Sequence, residues 1–156
     1  MKRTLLALTA LGALTAALTL SAAASNPTSA TLEIHHKVKG CHVWSLNGGA
    51  FGVSQTAKLK PGGSVLITDN DLMPHKLIKL SGGAVAMKLV APGNASVGAL
   101  KPPYAAGEMP HMSAVLKVTF PKAGVYTFKT VSGEDYTPNV KTVGEDNVLK
   151  LKVAVG

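Results

Sequence analysis

From Thr31 onward, apolar and polar residues alternate in short runs, and glycine, proline or asparagine separates one run from the next. Alternation with period two marks strands buried on one face. "HVWSLNGG" (42–49) reads as a strand ending in a glycine turn, and "FGVSQTAKLKPGG" (51–63) alternates up to Pro61-Gly62-Gly63, a strong turn signal. "SVLITDND" (64–71) and "HKLIKLSGG" (75–83) are two further strands. Residues 81–112 are rich in Gly, Pro and Ala and read as mostly loop, with one short strand at "AVAMKLV". "SAVLKVTFPKAG" (113–124) and "VYTFKTV" (125–131) form a hairpin, and "NVLKLKVAVG" (147–156) is the last strand. No stretch after the N-terminal segment has helical periodicity with caps. Seven or eight short, regularly spaced strands predict an all-β fold, an antiparallel β-sandwich. Trp44 and Phe51 are expected in its core, and Met87 in core or loop packing.

The first residues are patterned differently. Lys2 and Arg3 precede an apolar run from Leu5 to about Leu20, and "SAAASNP" follows. A basic end, a short apolar core and an Ala-x-Ala exit make a secretory signal, with cleavage near Ala24–Ser25. The run is too short and too rich in Ala and Thr for a membrane span. A periplasmic or extracellular location is therefore expected, with no transmembrane segment after processing. The remaining stretch of about 130 residues suits one core. Without Lys2 and Arg3 it carries 14 basic and 8 acidic residues, a net charge of +6. The lysines are scattered, no arginine remains, and aromatic residues are few, so no nucleic-acid site is expected. Weak attraction to acidic partners or a membrane surface is compatible with this charge.

Candidate chemistry gathers around the histidines. Met73-Pro74-His75 and Met109-Pro110-His111 repeat one tripeptide in a chain with five histidines, each copy just before a strand-like run, and Met112 adds another thioether. Imidazole beside thioether suits a soft metal. Cys41 has no partner for an internal disulfide, and it stands next to His42 in "HHKVKGCHVW". A thiol with His and Met available is a candidate ligand, although a lone cysteine also serves as a small buried apolar residue. Cys41 and His42 point to opposite faces of a regular strand, and they share a metal only if Gly40 makes a bulge. The His35-His36 pair reads as a solvated strand face.

"LKPGGSVLITDNDLMPHKL" (59–77) resembles the core of the cupredoxins, the blue-copper proteins: a strand, a Pro-Gly turn, a strand ending in Asp/Asn, then Pro-His. "VTFPKAGVYTFKT" (118–130) is similar to the late hairpin of that family. The resemblance implies a Greek-key, cupredoxin-like sandwich, copper as cofactor, and His75 as a copper ligand. The chain then divides into a secretory signal over 1–24, a leader and first strand region over 25–41, and a cupredoxin-like domain over 42–156. The resemblance breaks in the loop after the late hairpin, where the family carries Cys, His and often Met. Here "TVSGEDYTPNVKTVGEDN" has none of these. Replacement ligands are then sought among Cys41, His42, Met73, Met109, His111 and Met112, with His75 and His111 expected to converge.

Three functions compete. One is an exported copper protein, a monomer, that carries electrons or holds and passes copper to a protein partner. The second is a metal-free sandwich serving as an interaction module. The third, an enzyme, is not expected: no Gly-x-Ser-x-Gly, His-Glu-x-x-His or phosphate loop is present. Cys and His also suit zinc, but paired close-spaced zinc ligands are missing and the methionines favour copper.

Overall fold

The computed structural model describes residues 25–37, 42–94, 100–132 and 148–156. Eleven strands make up the regular structure: β1 (Ser29–His36), β2 (His42–Leu46), β3 (Phe51–Gly52), β4 (Ser54–Leu59), β5 (Ser64–Asp69), β6 (His75–Ser81), β7 (Ala86–Ala91), β8 (Glu108–Met109), β9 (Ala114–Thr119), β10 (Gly124–Ser132) and β11 (Lys150–Val155). One sheet has the order β3-β2-β1-β5-β9-β7, the other β4-β11-β10-β6-β8. No helix among the described residues is long and apolar enough to cross a membrane.

The central strands bury alternate residues, as their sequence pattern requires. In β1 the buried set is Ala30, Leu32 and Ile34; in β5 it is Val65, Ile67 and Asp69. With Leu116 and Val118 of β9 these meet Leu77, Phe128, Leu151 and Val153 from the other sheet, in one core that also holds Trp44, Phe120 and Tyr126. Phe120 packs edge-on against Tyr126 and Phe128, with ring centroids 5.0 and 6.0 Å apart.

Two expectations need correction. The sheets are mixed rather than purely antiparallel: β1 pairs with β5 in parallel, and β11 with β4 in parallel. The chain leaves one sheet after β3, forms the edge of the other as β4, and returns as β5 beside β1. Such crossings bring two strands together in the same direction, and a period-two pattern is blind to direction. Phe51 is not core. It lies 47% exposed on an edge strand, edge-on to His35 at 5.1 Å and 4.1 Å below the Lys37 ammonium. Trp44 is fully buried, and Met87 packs against the core from a half-buried position. The two-residue strand β8 was not expected; it pairs with the start of β6, Met109 opposite His75.

Candidate metal centre

The inward row of β5 reads Val65, Ile67, Asp69, so it exchanges a branched apolar side chain for a carboxylate at its last position. The next residues fold back through two successive side-chain-capped turns. Asp69 Oδ1 accepts the Asp71 N–H at 3.1 Å, and Asp71 Oδ1 accepts the Met73 N–H at 3.0 Å. This returns the chain into β6 with His75 on the inward side, its Nδ1 2.8 Å from Asp69 Oδ2. Both side chains are fully buried. In the neutral tautomer whose Nδ1–H donates to Asp69, Nε2 keeps the lone pair. Among the described residues Nε2 has no hydrogen-bond partner. Burial pushes the Asp69 carboxyl above its ordinary value and outweighs the nearby imidazole. Burial alone would lower His75, but the charge and hydrogen bond of Asp69 overcome it and hold the imidazole above its ordinary value.

The other sheet supplies the facing wall. His36 and His42 are Cα partners in the β1–β2 pair, so their side chains share one face. That face is the inward one, carrying Leu32 and Ile34 on β1 and Trp44 on β2. At the open end of the two sheets the apolar row thus gives way to imidazoles. His42 Nε2 lies 3.1 Å from Asp71 Oδ2, and His36 Nδ1 lies 3.7 Å from the same oxygen. The ligand atoms of His36, His42 and Asp71 all fall within 4.8 Å of one another. His42 and Asp71 are buried, whereas the His36 side chain is 59% exposed. The His42 and His75 rings meet edge-on with centroids 4.8 Å apart. For Asp71, burial favours the neutral acid, but the His42 ring, the Met73 N–H and the charges of His42 and His75 outweigh it. The carboxyl is held below its ordinary value and is an anion at neutral pH.

The donor set fits a metal ion. Two ligand atoms each roughly 2.1 Å from a shared ion stand about 3.0–3.5 Å apart. The His42–Asp71 distance lies in that range, and His36, being exposed, needs only a small closure to join them. His42 Nε2 and Asp71 Oδ2 face each other directly, with His36 Nδ1 3.7 Å from the same oxygen. Among the described residues, the buried side-chain atoms without a partner are His42 Nδ1 and Nε2, Trp44 Nε1, Asp71 Oδ2, His75 Nε2 and Ser132 Oγ. Ser132 is the Cα partner of His75 on β10, and Trp44 lies two residues along β2 from His42. All six atoms therefore belong to one end of the fold. Buried polar groups are nearly always paired, so this end of the fold calls for a water, an ion or another partner.

The fold distributes the sequence-derived candidates unevenly. His75 and His42 come together. Met109 is fully buried on the same face as His75, directly across the β6–β8 pair. Met73 is half-buried and enters through its backbone N–H. His111 is buried with its Nε2 3.1 Å from Tyr104 Oη, and it is not part of the His36–His42–Asp71 group. Met112 is half-buried, its carbonyl accepting the Asn94 N–H. Cys41 and the loop over 133–147 lie outside the described residues. Sequence reasoning missed Asp71 and Asp69, and it set the His35-His36 pair, a loose Cu(II) or Zn(II) binder at most, aside as a solvated strand face. A parity count along "ATLEIHH" carries the signal for His36, because Ala30, Leu32 and Ile34 extend to it on one face.

No family model matches the chain, and no curated protein does. Among solved structures it resembles amebosin at 15% identity and a TM-score of 0.39, over 65% of this chain and 89% of that one. It resembles an inclusion body protein from Burkholderia cenocepacia at 12% identity and a TM-score of 0.35, over 85% and 98%. A distant resemblance also joins it to multicopper oxidases. The one from Pediococcus acidilactici is 12% identical with a TM-score of 0.36, over 89% of this chain and 28% of that one. The chain thus spans well under half of that oxidase. The chemistry of the site rests on this chain's own geometry.

Proposed function

We propose that this is an exported, cupredoxin-like copper-binding protein that holds copper between the two sheets at their His36–His42 end. The carrying observation is the His36–His42–Asp71 cluster, whose ligand atoms fall within 4.8 Å of one another, with His42 and Asp71 buried. Two imidazoles and a carboxylate are nitrogen and oxygen donors of intermediate hardness, which suit Cu(II). His75, held by Asp69 as a metal-binding imidazole is held by an outer carboxylate, is a further donor from the opposite sheet. Copper would supply a one-electron couple, and the protein would supply the ligands, their orientation and exclusion of water. Holding the ion for an exchange partner is favoured over fast electron transfer, because the described donors include a carboxylate and an exposed histidine. Export rests on the N-terminal signal pattern.

The test is a Cu(II) titration of the protein as exported and processed by the expressing cell, its N-terminus read by mass spectrometry. Absorption and paramagnetic resonance would be followed beside His36→Ala, His42→Ala, Asp71→Asn, His75→Ala and Cys41→Ser. Nitrogen hyperfine structure that is lost in His42→Ala supports the reading. An intense thiolate band lost in Cys41→Ser would add Cys41 as a ligand and move the reading toward electron transfer. Equal binding by the parent and by all the histidine variants would sink it and favour the metal-free module. Zinc competition in the same titration decides the metal.

A further inference from the structure

The outer face of the five-stranded sheet has no part in the metal centre, and its charge is one-sided. Its outward rows carry Lys58 on β4, Lys150 and Lys152 on β11, and Lys129 on β10, separated by Ser54, Thr56 and Thr127. Lys150 and Lys129 are Cα partners, so two ammonium groups stand directly across one strand pair. Like charges in that position destabilise a sheet. None of these four lysines has an ion-pair partner among the described residues; Lys76, further across β6, is paired with Glu108 at 3.6 Å. Between the lysines runs a shallow groove of about 270 Å³, lined by Leu80, Thr56, Thr127, Lys150 and Lys152. Leu80 and Val125 stand exposed.

We propose that this face docks on an anionic lipid bilayer. The charge needs an anionic partner, and the remaining chemistry selects which kind. Protein hot spots use Trp, Tyr and Arg, and among the described residues this face presents none of them. Nor does it offer a planar bidentate donor for a single defined phosphate. It presents instead a flat array of flexible point charges with two exposed aliphatic side chains, which is what a headgroup surface requires. The six-stranded sheet is less suited, because its outer face mixes lysines with Glu33 and an edge-on His35–Phe51 pair.

The experiment is co-sedimentation of the processed protein with vesicles of phosphatidylcholine alone, or mixed with phosphatidylglycerol, at low and high salt. Binding is expected only to the mixed vesicles and only at low salt. Lys150→Glu should lower the partition coefficient by roughly tenfold, with no fall in melting temperature, because the introduced carboxylate would face the Lys129 ammonium. Lys117→Glu is the matched control. It makes the same charge change opposite Lys88 on the other sheet, and it should leave most of the binding intact. Equal losses in the two variants would mean net charge and not this face, and would overturn the proposal. So would absence of binding to the mixed vesicles, which would leave the face to an acidic protein, or binding indifferent to salt.

Discussion

At the scale of single residues, the Asp69–His75 pair bears on the proposed site. Asp69 holds the imidazole from Nδ1, and among the described residues the buried Nε2 has no hydrogen-bond partner. Outer carboxylates of this kind typically contribute about 10–100-fold to metal affinity. Asp69→Asn should therefore weaken Cu(II) binding by about that factor in a chelator competition, while circular dichroism keeps the β signature. Asp71 has a separate, pH-dependent signature. Its folded pKa lies below the unfolded one, so its contribution to stability is fully present above the ordinary carboxylate pKa of about 3.9. The contribution is lost as pH falls through the lower folded value. Urea unfolding of the metal-free protein from neutral to acid pH should show this loss, and Asp71→Asn should flatten that limb of the profile. An unchanged limb in the variant would mean that other carboxyls govern acid unfolding.

At the scale of elements, the site depends on how short connections aim strand ends. The paired turns at 69–73 reverse the chain from one sheet into the other, and the β1–β2 pairing puts His36 opposite His42. Strand β8 closes the β6 edge and brings Met109 beside His75. It is set by Gly107, whose φ of +84° is left-handed and whose carbonyl accepts the Leu77 N–H. A Cβ there would run into the Leu77 carbonyl. Gly107→Ala should cost about 1–3 kcal/mol in chemical denaturation, and it should disturb the Met109 side of the site. A neutral result would mean that β8 shifts freely and does not fix Met109. Trp44→Ala, by contrast, should cost about 3–5 kcal/mol, because the side chain fills the core under the histidines.

For the whole molecule, a ligand held between two sheets ties them together. Binding that favours the folded state by mass action stabilises it by about 2.7 kcal/mol at a hundredfold excess over Kd. Cu(II) should therefore raise the melting temperature by several degrees, and a chelator should reverse the gain. His42→Ala should abolish the metal-dependent part while leaving a cooperative transition. A metal-induced shift of equal size in that variant would place the ion elsewhere on the surface.

The sequence by itself determined the strands, their inward faces and the signal pattern, because each is written in local alternation and turn chemistry. "SVLITDNDLMPHKL" singled out His75, and the Cys41-His42 step singled out His42. Partnership across the fold was not legible. His36 reads as an exposed strand residue until β2 is laid beside β1, and Asp71 reads as a turn residue until His42 meets it from the other sheet. His111 carries the same tripeptide as His75, yet its buried nitrogen meets Tyr104. Strand direction was equally silent, since parallel and antiparallel neighbours share one periodicity. Only the tertiary structure decided which polar atoms were buried together without partners. That depends on contacts between residues far apart in the chain, and no local pattern encodes them.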